Sequence, residues 1–430
     1  MRYQRLSAGG GGLLLEGVCW WRGLDSNQRR RAPTDLQSVP FSLSGTPPRS
    51  EQALYGQITT IVNEAMVPMT DLLRHATSTY RTVEMHAAGE PVRLVLEGFP
   101  EPRGATVLEK RNDAATRLDV HRRRLMLEPR GHAEMYGALP VQASAPGAAF
   151  GVLFMHHSGF STMCGHATIA LGRWAVDTGR VPMHDGRADF VLECPCGPVA
   201  MHVSDGGSSV AFDSVPAFAA ALDSVVEVTG FGRVTCDIGF GGAFYAILPA
   251  SRLGLDLRAT PVGRLRAAAR ATTDAIRARG DIRHPTEPDL SFLYGTILID
   301  DTPPGSPLVT RNLCVFGEGQ IDRSATGSGV TARMAVDAAR GLIAPGQRRA
   351  FAGASGVPFH GELLEEERLG TMAAFRVRVS GTAAYGGTAT WIVEDADALH
   401  DGFAVEDDRP LPGESAGQDL KPQMHTDPQG

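Results

Sequence analysis

The sequence predicts an α+β fold of two similar halves, each enclosing one apolar helix in β-sheet. Three observations point there. Short strand-like runs recur along the chain and outnumber the helical ones. Two helical stretches, one after Cys164 and one after Thr326, are apolar around most of their circumference, as befits helices surrounded by sheet. The two also share a frame. Cys164-Gly165 opens one and Gly179 closes it; Thr326-Gly327 opens the other and Gly341 closes it at the same spacing. Two such halves face to face aim two helix N-termini at one cleft, where an anionic substrate is held from both ends.

Each element follows from local pattern. The first buried helix runs through Ile169, Leu171, Trp174 and Val176 to Gly179. Residues 187–193 and 198–203 are strand-like, and Asp205-Gly206-Gly207 offers a turn before 209–212, which predicts a hairpin. Residues 262–279 form an amphipathic helix with Leu265, Ala268, Ala269 and Ile276 on one side and Gly280 as its stop. Residues 290–299 and 312–316 are strands. The second buried helix passes through Val330, Ala332, Met334 and Val336, and strands at 373–379 and 390–393 come after it. The glycines at Gly206-Gly207 would let the two halves open and close.

Composition excludes several classes. At 430 residues and 43% hydrophobic, the chain can build two cores. A net charge of −7 with no dense basic face argues against nucleic acid as a partner, so Arg122-Arg123-Arg124 reads as a solvated loop or strand end. Six cysteines in so long a chain make no disulfide framework, which points to a reducing, cytoplasmic setting. No apolar run approaches the roughly 18 residues of a membrane span, so no membrane partner is expected. The stretch Trp20-Trp21-Arg22-Gly23-Leu24-Asp25-Ser26-Asn27-Gln28 resembles the conceptual translation of a transfer-RNA gene. Residues 1–65 are therefore expected to be a spurious or disordered extension, with Met66 or Met69 as the start. The polar, Pro- and Gly-rich tail at 408–430 reads as disordered.

Cys164 carries the chemistry. The first N–H groups of a helix are unpaired and carry partial positive charge, which biases a cysteine there toward thiolate. The same groups can hold a substrate carboxylate beside the sulfur. The plainer reading is a buried free cysteine. Cys194-Pro195-Cys196 has the wrong spacing for a zinc knuckle or a CxxC pair, so no metal is expected. His156-His157 reads as a strand end beside the cleft, and Cys236 and Cys314 as core. Cys164, His166 and a distant Asp also fit a thiol-hydrolase triad, although a His two residues after the nucleophile speaks against it.

Several ordered blocks identify a family. Pro129-Arg130-Gly131-His132, Met135-Tyr136-Gly137, Phe154-Met155-His156 and Gly159-Phe160-Ser161-Thr162-Met163-Cys164-Gly165-His166 closely resemble the proline racemase family. So do Glu84-Met85-His86-Ala87-Ala88-Gly89-Glu90-Pro91, Asp237-Ile238-Gly239-Phe240-Gly241-Gly242, and Asn312-Leu313-Cys314 leading to Asp322-Arg323-Ser324-Ala325-Thr326-Gly327-Ser328-Gly329. The resemblance covers roughly 79–404. It implies a diaminopimelate-epimerase-like fold of two pseudo-symmetric domains, each a barrel-like sheet around a central helix. The expected boundaries are 79–208 for the N-terminal half, with a returning segment at 372–404, and 209–371 for the C-terminal half. It further implies a homodimer and a site that needs no pyridoxal, metal or other cofactor.

One position departs from the racemase pattern. Racemases and hydroxyproline epimerases of this family carry a second cysteine where this chain has Thr326, because the proton leaves one face of Cα and returns on the other. A threonine hydroxyl is too weak a base for that role without an activating partner. The Cys164/Thr326 pair resembles instead the branch that dehydrates trans-3-hydroxy-L-proline, and Gly242-Ala243-Phe244-Tyr245 and Phe292-Leu293-Tyr294-Gly295-Thr296 look like that branch too. In that substrate the Cα proton and the 3-hydroxyl share a ring face, so one group on one face can serve both steps. This assigns the expected roles. Cys164 is the base, and the N–H groups of Gly165, His166, Gly327 and Ser328 hold the carboxylate. The resemblance implies that Asp322 pairs with the ring ammonium; the plainer reading is a turn or N-cap residue. His166 orients a water, contributes only its backbone, or is a solvated imidazole. Thr326 binds substrate or caps its helix. The alternatives to dehydration are proline racemization, 4-hydroxyproline 2-epimerization, or binding without catalysis.

Overall fold

The computed structural model describes Arg74 and residues 76–405. The expected extension at 1–65, the starts at Met66 and Met69, and the tail at 408–430 lie outside the described residues. Among the described residues no helix is long and apolar enough to cross a membrane.

The chain begins with β1 (Ser78–Ala87) and β2 (Glu90–Glu97), then α1 (Val107–Arg117) and α2 (Asp119–Met126). It continues through β3 (Tyr136–Val141), β4 (Ala148–His156), β5 (Gly159–Ser161), α3 (Gly165–Asp177), β6 (Ala188–Cys194), β7 (Gly197–Ser204) and β8 (Ser209–Asp213). The second stretch holds β9 (Phe218–Val228), β10 (Gly232–Phe240), β11 (Phe244–Pro249), α4 (Val262–Arg277), β12 (Leu293–Ile299), β13 (Thr310–Phe316), β14 (Gln320–Ile321) and α5 (Gly327–Ala339). It ends in β15 (Arg348–Ala352), β16 (Pro358–Leu369), β17 (Met372–Gly381) and β18 (Ala383–Val393).

Strand pairing makes the internal repeat explicit. β1 and β2 are antiparallel, β2 runs parallel to β3, β3 is antiparallel to β4, and β4 runs parallel to β6. β10, β11, β12, β13 and β15 repeat that order of directions step for step. Two antiparallel partners extend each series, β7 and β8 in one and β16 and β17 in the other. β18 flanks β1 as β9 flanks β10. Each repeat thus wraps its sheet around one helix: α3 touches β1, β2, β7, β8 and β18, and α5 touches β9, β10, β11, β16 and β17.

The two helices are buried because they are mostly apolar, and the charged Arg333 and Asp337 of α5 find partners in Asn312 and Arg349. Gly165 to Gly172 are all buried, as are Gly327 to Asp337. Both end alike, with Gly179 and Gly341 at φ 69° in the left-handed region that closes a helix at low cost. The expected hairpin is present as β7 and β8, with Ser204 opposite Ser209. Cys236 and Cys314 are fully buried core residues, and His156 ends β4.

The structure corrects the sequence-based expectations at several points. The arginine run is not a loop or strand end but lies on α2. Arg122 is buried because its guanidinium donates to the carbonyl oxygens of His156 (3.0 Å) and His157, atoms that would otherwise be orphaned. The strand expected from 290 begins at Leu293, after a short 3-10 turn at Pro288–Leu290. Gly206-Gly207 sits inside the β7–β8 turn, so it joins two strands of one repeat and not the two halves. β8 pairs with β7 and buries Val210 and Phe212, whereas β17 pairs with β16 as well as with β8.

Candidate active site

α3 and α5 point their N-termini at each other. A Cβ built on Gly165 would lie 2.4 Å from the Cα of Gly327, and one on Gly327 would lie 2.7 Å from the Cα of Gly165. Only glycine lets the two backbones come this close. The first N–H groups of both helices lack intrahelical carbonyl partners and line a common narrow cavity. Cys164, Gly165, His166, Asp322, Thr326, Gly327 and Ser328 all line it, so the structure brings every sequence-derived candidate together. Tyr136, Met163, Tyr245, Tyr294 and Phe316 complete the wall.

Cys164 occupies the N-cap of α3, where its sulfur accepts the Ala167 N–H at 3.4 Å and lies 3.2 Å from Nδ1 of His166. The expected bias toward thiolate is overturned. Burial pushes the Cys164 thiol well above its ordinary pKa, and the charges of Asp322 and Glu90 push the same way; the Ala167 N–H and the Tyr136 hydroxyl pull down without winning. His166 is buried and not a solvated imidazole. Burial lowers its pKa to about 4, against the opposing pull of Asp322, so it is neutral near neutral pH.

Asp322 comes directly after β14 and is buried 4.0 Å from Nδ1 of His166. One of its oxygens accepts the Ser324 N–H at 2.7 Å, so the turn role is present alongside its place in the cavity. Thr326 stands at the N-cap of α5 but makes no side-chain capping hydrogen bond, with its backbone at φ 61° and not in the extended conformation a capping residue takes. Its buried Oγ1 has no hydrogen-bond partner of normal geometry, although the hydroxyl draws down the pKa of Cys314, whose thiol burial pushes well up. Ser328 Oγ pairs with the Tyr245 hydroxyl at 2.7 Å.

The loop carrying Asp322 is held from the opposite repeat. Glu90, the first residue of β2, accepts the Arg323 N–H at 2.6 Å, and Glu134 pairs with the Arg323 guanidinium. Burial, then the Asp322 charge, raises the Glu90 pKa well above the usual carboxyl range. The sequence alone assigns no role to Glu90, Tyr136, Tyr245 or Tyr294, although all four fall within the family-like blocks, which is the one signal that marks them. Tyr136, the first residue of β3, reaches the site through its ring contact with His166, a tertiary pairing with no local signature. Among the described residues no three His, Cys, Asp or Glu side chains cluster as metal ligands. Cys164, Cys194, Cys196, Cys236 and Cys314 are free thiols.

Two repeats of sheet around a helix, with a thiol at one of the facing helix N-termini and a carboxylate in the loop before the other, define a class of proteins with pseudo-symmetric epimerase-like architecture. A structure described as a probable proline racemase from Agrobacterium radiobacter K84, with bound carbonate, shares it at a TM-score of 0.72 and 25% identity, covering 76% of this chain and 96% of that one. The family profile described as proline racemase matches residues 82–404, and the chain belongs to that family. Among curated relatives, the trans-L-3-hydroxyproline dehydratase of Bos taurus is 49% identical over 338 residues, 77% of this chain and 96% of its own length. The trans-3-hydroxy-L-proline dehydratase of Homo sapiens is 48% identical over a span of the same length.

Proposed function

We propose that this enzyme removes water from trans-3-hydroxy-L-proline, a hydro-lyase reaction that gives an enamine and then Δ1-pyrroline-2-carboxylate. The observation that carries the reading is the pairing of Cys164 with Thr326 across one cavity, supported by relatives of that activity at nearly half identity over most of the chain. Cys164 is the base that takes the Cα proton. The helix N–H groups at Gly165, His166, Gly327 and Ser328 receive the carboxylate and stabilise the charge that develops on it. Asp322 pairs with the ring ammonium, which keeps the nitrogen protonated and Cα acidic. The Thr326 Oγ1, with no partner of normal geometry inside the protein, is a hydrogen-bond partner for substrate on the far face. Nothing there needs to exchange a proton with Cα.

Burial raises the thiol pKa, so binding must lower it. The ring ammonium supplies a positive charge beside the Asp322 and Glu90 carboxyls that hold the thiol protonated. The sign is fixed: a raised pKa leaves thiolate scarce at neutral pH, and activity grows as pH rises. We expect kcat/KM, which reports the free enzyme, to keep rising beyond the ordinary thiol pKa of about 8.5. The profile of kcat, which reports the complex, should level off at lower pH. A kcat/KM plateau already reached near neutral pH would contradict this ordering.

The same proposal includes a cytoplasmic homodimer that works without cofactor, in keeping with its free thiols. The direct test of the activity is ketimine trapping with the purified protein on trans-3-hydroxy-L-proline, L-proline and trans-4-hydroxy-L-proline in parallel. Product from the first alone is expected. Inversion of either other substrate, with none from the first, would assign the chain to the isomerases.

A further inference from the structure

Elimination of water needs an acid as well as a base. The oxygen leaving C3 departs as water only if a proton reaches it, and Cys164 lies over Cα when the C–H bond breaks. His166, its nearest polar neighbour, is neutral near neutral pH and a poor donor to a leaving hydroxyl. The Tyr245 hydroxyl is engaged with Ser328 at the other helix. The Tyr294 hydroxyl is engaged with Tyr136, and its ring is stacked on Phe316 at 5.2 Å and 9°.

Tyr136 differs from both in bearing directly on the base, through a side-chain hydrogen bond that draws the Cys164 pKa down. It is buried, lines the cavity beside Cys164, and sets its ring edge-on against His166 at 4.7 Å. Its hydroxyl meets Ser161 Oγ at 2.6 Å. Ser161 in turn reaches the carbonyl oxygen of Met163 at 3.5 Å, so its own hydrogen has two acceptors to choose between. A serine that turns its O–H from Met163 to Tyr136 stabilises a phenolate without any backbone movement.

We propose that Tyr136 is the acid of the dehydration, giving its phenolic proton to the departing 3-hydroxyl and regaining one from the Cys164 thiol. This rests on the dehydratase reading above. The step balances. The Cα–H bond breaks, its proton goes to the Cys164 thiolate, and its electron pair forms the Cα–C3 double bond. The C3–O bond breaks, and the oxygen leaves as water with the Tyr136 proton. The thiol then passes its proton to the phenolate, which restores both groups. Burial first, then the Cys164 and Tyr294 side chains, push the Tyr136 pKa well above the ordinary phenol value, and only the Ser161 hydroxyl pulls the other way, so the phenol is protonated in the resting site as an acid must be.

The test is Tyr136→Phe in the full chain, with trans-3-hydroxy-L-proline in D2O. Two quantities are read: ketimine formed, and deuterium at Cα of recovered substrate. Dehydration is expected to fall by about 10²-fold or more, the usual worth of a general acid. Deuterium should meanwhile enter recovered substrate with retained configuration, because Cys164 still removes and returns the proton. Dehydration at the native rate would overturn the assignment. So would an equal fall in exchange and dehydration, which would make Tyr136 a positioning residue acting through the thiol. Ser161→Ala keeps the ring and decides the matter if Tyr136→Phe fails to fold: a smaller loss of dehydration with exchange preserved supports the relay, and no change removes it. A native protein that forms no ketimine contradicts the dehydratase reading itself, whereas an active native protein with an indifferent Tyr136→Phe variant contradicts only the acid.

Discussion

Replacing Cys164 with Ser is expected to lower kcat/KM for ketimine formation from trans-3-hydroxy-L-proline by about 10³-fold or more, with folding unchanged. The hydroxyl is smaller than the thiol, so the buried N-cap position accepts it, and serine caps helices well. What is lost is basicity. A hydroxyl that must ionise in a pocket where burial already lifts a thiol well above its ordinary pKa has almost no anion to offer. Substrate affinity should survive, because the carboxylate and ammonium contacts belong to other groups. Steady-state kinetics with a binding measurement separates the two, and a variant that turns over at near-native rate removes Cys164 as the base.

Gly165→Ala should be nearly as damaging for a different reason. The added methyl would stand 2.4 Å from Gly327 Cα and 2.9 Å from Gly327 C, inside the contact distance of backbone atoms that cannot rotate away. In an open helix the change would stabilise by up to about 1 kcal/mol. Here overpacking costs about 1–3 kcal/mol, and relief means driving the two helix N-termini apart. A displacement of about 1 Å at a reacting site costs about 10²-fold in rate. Thermal unfolding with kinetics checks both parts: the variant should melt lower yet still fold, and lose activity out of proportion. Native activity in this variant would mean that the close approach of α3 and α5 is dispensable.

The repeat is readable from sequence because it is written in residue types that backbone geometry demands. Gly179 and Gly341 terminate helices at positive φ, and Gly165 and Gly327 admit close approach, so four glycines outline two units. The apolar circumference of α3 and α5 likewise reports burial directly. The features that sequence reading misses are set by partners distant in the chain. Arg122 is buried to serve carbonyls at the end of β4 and just beyond it, and α2 around it has no apolar stripe to announce a helix. β8 reads in sequence as the start of the second half, yet it contacts α3, and its inward Val210 and Phe212 belong to the sheet around that helix.

The site shows the same division. Cys164 and Thr326 are legible because each opens a helix marked by glycine, whereas Asp322 is legible only through the resemblance to the family. The direction of the thiol pKa is not, because the helix contribution is local and visible, whereas desolvation and the charges of Asp322 and Glu90 arise from tertiary packing. The Thr326 side chain reverses another expectation. A threonine before a helix ordinarily caps it, and only the backbone at φ 61° reveals that this one does not.

The central claim is that proton chemistry at Cα occurs on one face only. Incubation of the native protein with L-proline in D2O, with chiral separation and mass measurement of the recovered amino acid, tests it most directly. L-proline has no 3-hydroxyl to lose, so it can only exchange. L-proline that carries deuterium at Cα with configuration retained, and no D-proline, is expected. Accumulation of Cα-deuterated D-proline would show a second proton donor on the Thr326 side and contradict it.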